Sequence, residues 1–560
     1  MARTVGIGIQ DFGKIIENNY FYIDKTAFIK EWWESGDDVT LITRPRRFGK
    51  TLTMSMLEHF FSVDYTDRAD LFHGLDIWKD ERYHGLQGSY PIIFLSFADV
   101  KEPSFPDTRK QICQIITDLY NKYDFLLESD YLNENEKNAY KLVSDEMENH
   151  RMAGSLKALS DYLSRYYGKK VIILLDEYDT PMQEAYVYGY WDEMAAFIRS
   201  LFNSTFKTNP YMERAVMTGI TRISKESIFS DLNHLEVVTS TSGKYETTFG
   251  FTETEVFAAM DEFGLTEKDK VRAWYDGFIF GDIPDIYNPW SIINYLDKKR
   301  FAAYWANTSS NSLAGKLIRE AIPEIKIIME DLLQGKSFHT VIDEQIIFSQ
   351  LDHNINAIWS LLLACGYLKV EALDFDEEYG EYEYTLSLTN KEVRLMFRRM
   401  IDGWFAEYTP AYNAFIKALL LDDRKAMNIY MNQTALATFS SFDSGSKPSE
   451  AAEPERFYHG FVLGLIVDMA GRYRVTSNRE SGFGRYDVML EPLKPADPAF
   501  VLEFKVHDPE DEKTLADTVA AALRQIEEKA YDMELTARGI ARDRIRHYGF
   551  AFEGKKVLIG

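Results

Sequence analysis

At 560 residues the chain exceeds what a single hydrophobic core can serve, so roughly two to four domains are expected. A hydrophobic content of 46% with 14% aromatic residues excludes a largely disordered chain. A net charge of −25 excludes a protein that coats nucleic acid or membrane with its whole surface, and leaves only local basic patches for such contacts.

The amino-terminal stretch MARTVGIGIQDF lacks the apolar segment of a signal peptide, and no run of about 18 apolar residues follows, which predicts a cytoplasmic protein without a membrane partner. Cys113 and Cys365 fit no zinc or disulfide spacing, in keeping with a reducing compartment. In FYIDKTAFIKEWW, which includes Tyr22, Asp24 and Lys25, the residues Phe28, Ile29, Trp32 and Trp33 have amphipathic helical spacing. A packed helix is the simpler reading there than a platform for a nucleotide base.

Val39–Ile42 is a short apolar β-type run, and Gly49-Lys50-Thr51 follows before a helical pattern begins. Strand, tight loop, GK[ST] and helix is the context a phosphate-binding loop needs. Residues Arg46, Arg47, Phe48, Gly49, Lys50, Thr51 and Leu52 would cradle phosphate, with Lys50 reaching the β- and γ-phosphates and the Thr51 hydroxyl holding Mg²⁺. Arg44 stands where the usual pattern has its first glycine. Alone, GKT is an ordinary helix start.

Pro91–Phe97 reads as another buried strand, and residues 105–166 are mostly helical by pattern, with a polar break around Asn133–Lys137. Val171–Leu175 is an unbroken apolar run, as a strand buried on both faces requires, and it ends in Asp176-Glu177, with Asp179 close behind. At the carboxyl end of a central parallel strand Asp176 would meet the Mg²⁺ hydration shell, and Glu177 would polarise a water for attack on the γ-phosphate. Paired with the GKT loop, these acids favour ATP and Mg²⁺ as ligands.

A helix over 190–206 precedes the strand Arg214–Thr218, closed by Gly219. Alternating strands and helices specify a parallel sheet covered on both faces. An extra strand between the loop strand and the Asp176 strand fits the additional-strand (ASCE-type) class of P-loop ATPases. Thr218 would then sense the γ-phosphate, and Arg222 would supply positive charge in cis or to a neighbouring subunit of a homo-oligomer. These features set an ATPase domain at residues 1–245.

Residues 246–335 read as a helical lid whose aromatic stretch Trp274–Leu296 belongs to a core. Residues 336–440 read as winged-helix-like: an apolar helix (Ala357–Leu363), CGYLKV, an acidic turn and the strand Tyr382–Leu388. Arg394, Arg398 and Arg399 are expected on a solvated face. The Ser-, Gly- and Ala-rich stretch 440–452 marks a linker.

The carboxy-terminal region, 453–560, opens with an apolar helix (Phe457–Met469) preceded by Glu453 and Glu455. The strand Arg485–Leu490 and the strand Ala499–Val506 follow. Period two puts Leu502, Phe504 and Val506 on a core face and Glu503 and Lys505 on the other, and a hairpin would bring Asp487 beside them. Two carboxylates bind Mg²⁺ or Mn²⁺ through oxygen while leaving waters in place, and Lys505 would orient the attacking water or stabilise developing charge. Gln525 lies on the next amphipathic helix, with Leu515, Val519, Leu523 and Ile526.

Taken together, YIDKTAFI, LITRPRRFGKT, VIILLDEYDTP, TGITRISKESIFSDLN, WYDGFIFG, YNPWSI, YHGFVLGL, GRYDVML and VLEFKV resemble the predicted AAA-ATPase-like family whose members carry a carboxy-terminal PD-(D/E)XK nuclease-like domain. The resemblance implies an α/β multidomain protein in which RPRRFGKT is the family's own form of the loop. It also implies that Asp487, Glu503 and Lys505 are the nuclease motif, Gln525 its auxiliary residue and Glu455, with Glu453 as the alternative, its helix acid and metal ligand. The expected function is ATP hydrolysis coupled to metal-dependent cleavage of DNA or RNA. The alternative is a regulatory ATPase whose tail only binds nucleic acid or a protein partner.

Overall fold

A computed structural model describes residues 2–223, 228–229, 232–306, 312–320, 323–343, 351, 355–376, 381–406, 409–438, 458, 461–466, 469, 472–481, 484–494, 497–509 and 511–560. The chain divides into two compact units, one of Met1–Leu317 with Ser337–Met396 and one of Ile318–Lys336 with Phe397–Gly560. No described helix is long and apolar enough to cross a membrane.

The first unit is built on a five-stranded sheet of β1 (Val39–Thr43), β2 (Ile92–Ser96), β3 (Val171–Asp176), β4 (Met212–Gly219) and β5 (Leu235–Val238), in the order β2-β3-β4-β1-β5. Every pairing is parallel. Both β1 and β3 are buried along their whole length, which is why each is a continuous apolar run rather than an alternating one. The extra strand expected between the loop strand and the Asp176 strand is, in space, β4. PIIFLSF (β2), which intervenes in sequence, lies beyond β3. The register sets Ile42 beside Thr218 and Thr43 beside Gly219, so the carboxyl ends of β1, β3 and β4 open onto one rim.

After this sheet, residues 251–298 combine helices Glu253–Glu262, Lys268–Tyr275 and Pro289–Lys298 with β6 (Phe251–Thr252), β7 (Phe278–Phe280) and β8 (Ile283–Tyr287). The region expected as a helical lid therefore also holds a small sheet, ordered β6-β8-β7. Two of its strands, β7 and β8, come from GFIFGDIPDIY, where buried aromatics alternate with turn residues. Tyr275, Tyr287, Ile292 and Tyr295 form the core beneath it. Further on, the helix Ile355–Ala364 precedes β10 (Leu368–Asp376) and β11 (Glu381–Leu388), and β9 (Phe338–Val341) joins the far side of β11.

The second unit carries β12 (Tyr473–Ser481), β13 (Gly484–Pro492), β14 (Ala499–Val506), β15 (Ile545–Glu553) and β16 (Lys556–Ile559) in sequential order, with only β14 and β15 parallel. Helices Thr409–Leu421 and Arg424–Thr438 belong to this unit, although they precede the expected linker. Phe415, Leu419, Met427 and Met431 enter the same core as Leu502 and Phe504. Asn428 and Asn432, one helical turn apart, donate to the carbonyls of Ile559 and Val557 at 2.8 and 2.6 Å and accept from their N–H groups. These two amides close the open edge of β16.

Candidate nucleotide and metal sites

The turn after β1 can be compact because Gly49 takes the left-handed conformation, φ 86°, just before the helix Lys50–Phe61. The first helical N–H groups then face a cavity of about 520 Å³. All seven loop residues from Arg46 to Leu52 line it, and its volume suits a nucleotide. The Lys50 ammonium is 3% exposed and donates to the carbonyls of Arg44 and Pro45 at 3.0 and 3.1 Å, with Glu177 Oε1 at 3.7 Å. The loop thus wraps around the ammonium it presents.

Arg44 explains how the loop works without its usual glycine. Its backbone has no positive φ, so a side chain is tolerated. That side chain turns into the core, where the guanidinium donates to Thr239 O at 2.6 Å and Thr43 O at 3.0 Å and lies 4.6 Å from the Phe280 ring. Burial pushes its pKa down to about 9. The other two arginines do separate things. Arg46 donates to Gln183 Oε1 at 3.3 Å, and Arg47, at φ 65°, stacks on Trp290 at 4.5 Å.

Thr51 Oγ1 donates to Asp176 Oδ2 at 2.7 Å, and Thr218 Oγ1 donates to Asp176 Oδ1. Thr218 is 1% exposed, and its hydroxyl orients Asp176 at the end of β3. Glu177 does line the cavity, and as a non-glycine residue at φ 53° it is locally strained. Burial raises the Glu177 carboxyl, but Lys50 and then Arg46 outweigh it and hold the group below the ordinary carboxylate range. Asp176 is pushed the other way, first by burial and then by the Glu177 charge.

Behind these acids, Asp179 Oδ2 accepts from the N–H groups of Ile220 and Thr221 and from Gln183 Nε2, tying the tip of β4 to that of β3. A side chain at Gly219 would meet Asp179 Oδ1 at 2.7 Å, so the approach requires glycine. Arg222 is half-buried and lines a separate small hollow with Thr43, Thr239 and Ser360, not the loop cavity. Within one chain it is not brought to the phosphate position.

The opposite wall of the cavity had no clear signal in the sequence. Gly6, Ile9, Tyr22 and Ile23 form it, with Trp290 and Ile293 closing one side. YIDK braces this wall: Asp24 accepts from Thr26 N and Asp76 N at 2.9 and 2.7 Å, and Lys25 pairs with Glu255 at 2.7 Å. Trp32 is fully buried and donates to Thr40 Oγ1, as a packed helix predicts.

In the second unit, Val488 pairs with Leu502 and Met489 with Val501, so one step further Asp487 stands opposite Glu503. Asp487 Oδ2 accepts from Phe504 N at 2.8 Å. Leu502 and Phe504 enter one core, while Val501 packs on the other face with Ile526 and Tyr531, and the alternation sets Glu503 and Lys505 on that second face. Gln525 Nε2 donates to Glu503 Oε1 and to Tyr531 Oη, a buried partner that sequence reasoning missed. Burial pushes Asp487 up to about 6, against the pull of the Phe504 N–H and Lys505. Glu453 and Glu455 lie outside the described residues.

The donor chemistry at both places fits a hard dication. Thr51 and Asp176 offer a hydroxyl and a carboxylate, and Asp487 and Glu503 offer two carboxylates, while a buried carboxyl with a raised pKa is relieved by positive charge. No group of three or more His, Cys, Asp or Glu able to hold a metal occurs among the described residues.

The model of the predicted AAA-ATPase family matches residues 6–229, and that of the PD-(D/E)XK nuclease superfamily matches residues 453–560. An uncharacterized protein in the vnfD 5' region of Azotobacter chroococcum mcd 1 is 29% identical over 325 residues, 57% of this chain and 56% of the relative. The chain thus spans little more than half the length of the curated relative it matches. Among solved structures, the Aeropyrum pernix ORC2 protein in ADPNP-ADP complexes is similar at TM-score 0.24 and 9% identity, covering 67% of this chain and 92% of that one. A signal transduction ATPase with numerous domains and a tetratricopeptide repeat sensor from Pyrococcus horikoshii is similar at TM-score 0.24 and 12% identity, covering 80% and 55%. At those scores the likeness carries no functional information. The chain is thus similar to the predicted AAA-ATPase family over residues 6–229 and to the PD-(D/E)XK nuclease superfamily over residues 453–560.

Proposed function

We propose that the chain hydrolyses ATP in residues 1–245 and uses nucleotide state to gate a metal-dependent nuclease in residues 453–560. The observation that carries the ATPase reading is the convergence of Lys50, Thr51, Asp176 and Glu177 on the rim formed by β1, β3 and β4. Lys50 would draw the β- and γ-phosphates, while Thr51 and Asp176 would hold Mg²⁺. That ion would neutralise phosphate charge. Glu177, kept ionised by Lys50 and Arg46, would take a proton from water as the water oxygen attacks the γ-phosphorus and ADP leaves. The wall of Gly6, Ile9 and Ile23 would take the base, and Arg222 would act on a neighbouring subunit's nucleotide.

For the tail, the support is Asp487 opposite Glu503 with Lys505 on the same face. Asp487, Glu503 and Glu455 would hold Mg²⁺ or Mn²⁺, Lys505 would orient water or stabilise charge, and Gln525 would fix Glu503. Residues 1–245 and 453–560 fall wholly in different compact units, which suits two separable activities. Between them in the sequence we propose a lid over residues 246–335 and a winged-helix-like region over 336–440, whose last helices, Thr409–Leu421 and Arg424–Thr438, pack in the core of the second unit, in a protein of the cytoplasm.

The full-length chain tests this in two assays. Lys50→Ala is expected to abolish ATP hydrolysis, and Lys505→Ala to abolish Mg²⁺- or Mn²⁺-dependent cleavage of DNA or RNA while leaving the ATPase intact. Hydrolysis unchanged in Lys50→Ala would remove the ATPase reading. A wild type that cuts neither polymer with any nucleotide would leave the tail as a binding module.

A further inference from the structure

Beyond β9 the hairpin of β10 and β11 stands in solvent. Its pairs run Leu373 with Tyr384 and Phe375 with Tyr382, which puts these residues on one face, and Asp374 with Glu383 on the other, where Glu381 also falls. Leu373, Phe375 and Tyr382 are 51, 53 and 51% exposed, and the Phe375 and Tyr382 rings lie 4.9 Å apart. Such residues on an extended hairpin are an aggregation liability unless something covers them. β10 is also the edge of its sheet, so the outer backbone groups of Ala372–Asp376 have no strand beside them among the described residues.

Charge selects the occupant. From Val370 to Asn390 the sequence contains no Lys, Arg or His, while Asp374, Glu381 and Glu383 are exposed on the polar face. An acidic hairpin repels phosphate, so it is unsuited to nucleic acid. A second copy would set the same acids against each other in a chain of net charge −25. We infer that this hairpin docks a basic protein segment, which adds as a strand to the edge of β10. Apolar side chains of that segment cover Leu373, Phe375 and Tyr382, and its lysines or arginines face Asp374, Glu381 and Glu383. Backbone pairing supplies affinity, and the two faces supply selectivity. The inference does not depend on either proposed activity.

The test uses the full-length chain and a labelled short peptide alternating lysine with valine, read by fluorescence anisotropy, with a glutamate–valine peptide as control. The wild type is expected to bind the lysine peptide, more weakly at roughly 0.3 M salt, and to ignore the control. Phe375→Ser with Tyr382→Ser, and separately Asp374→Lys with Glu383→Lys, should each weaken binding about tenfold. All four positions are exposed, so ATPase rate and melting temperature should not change. Failure of the wild type to bind, or equal binding by both variants, would overturn the inference. Competition by duplex DNA that the same substitutions relieve would reassign the surface to nucleic acid. Loss of self-association in the serine variant by sedimentation would reassign it to a second copy.

Discussion

Thr51 Oγ1 lies 2.7 Å from Asp176 Oδ2, although 125 residues separate them in the chain. That bond joins the first turn of the helix after β1 to the end of β3, and it exists because β4 sits between those strands and brings their carboxyl ends to one rim. Hydroxyl and carboxylate are the two protein ligands a nucleotide-bound Mg²⁺ asks for. Thr51→Ala is therefore expected to weaken nucleotide binding about tenfold in the presence of Mg²⁺ and hardly at all in EDTA, measured by titration calorimetry. An equal effect in both conditions would show that the hydroxyl serves only the fold.

Glu177 is expected to separate binding from turnover. It is held ionised by Lys50 and Arg46 and lines the cavity, whereas Asp176 behind it is buried. Glu177→Gln should bind ATP near wild-type strength and lose about 10²–10⁴-fold in single-turnover hydrolysis. Turnover within a few-fold of wild type would move the base elsewhere.

The tail should respond independently. Asp487→Asn, which keeps the size of the side chain, should abolish divalent-dependent cleavage and lower Mn²⁺ affinity at least tenfold by calorimetry, with ATPase rate unchanged. Unaltered Mn²⁺ affinity would exclude Asp487 as a ligand.

How much of this was legible in the sequence follows from which forces left a local pattern. Strands β1 and β3 are buried on both faces and so had to be apolar runs, which exposed Lys50 and Asp176 at their ends. Glu503 and Lys505 showed because β14 separates two cores and alternates. Arg44 was opaque: an arginine solvated by backbone carbonyls of Thr43 and Thr239 depends on long-range folding. Thr218 reads as a phosphate sensor because its place on the rim is legible, whereas its bond to Asp176, formed across two strands, leaves no local pattern. The cavity wall at Gly6 and Ile9 carries no charged residue to flag it, and the β7–β8 hairpin was hidden in aromatics that read as a helical core.

Glu392 gives the first unit a pH dependence. It is 1% exposed, accepts from Ser291 Oγ at 2.7 Å and Trp305 N at 2.6 Å, and burial pushes its pKa from the ordinary 4.5 up to about 7. The folded state thus binds this proton more tightly than the unfolded state. Its contribution to stability is complete below about pH 4.5 and is lost as pH rises to about 7, an effect of up to roughly 3 kcal/mol. Denaturant unfolding across that range should show a steeper decline in wild type than in Glu392→Gln. Parallel profiles would contradict the assignment.

The most direct test of the central claim is calorimetric titration of the full-length chain with a non-hydrolysable ATP analogue and Mg²⁺, in wild type and in Lys50→Ala. Lys50 presents its ammonium from within the loop and 3.7 Å from Glu177, so the cavity should bind one triphosphate per chain, and the substitution should weaken it about a hundredfold. Equal affinity in the two proteins would place the nucleotide outside this loop and contradict the account.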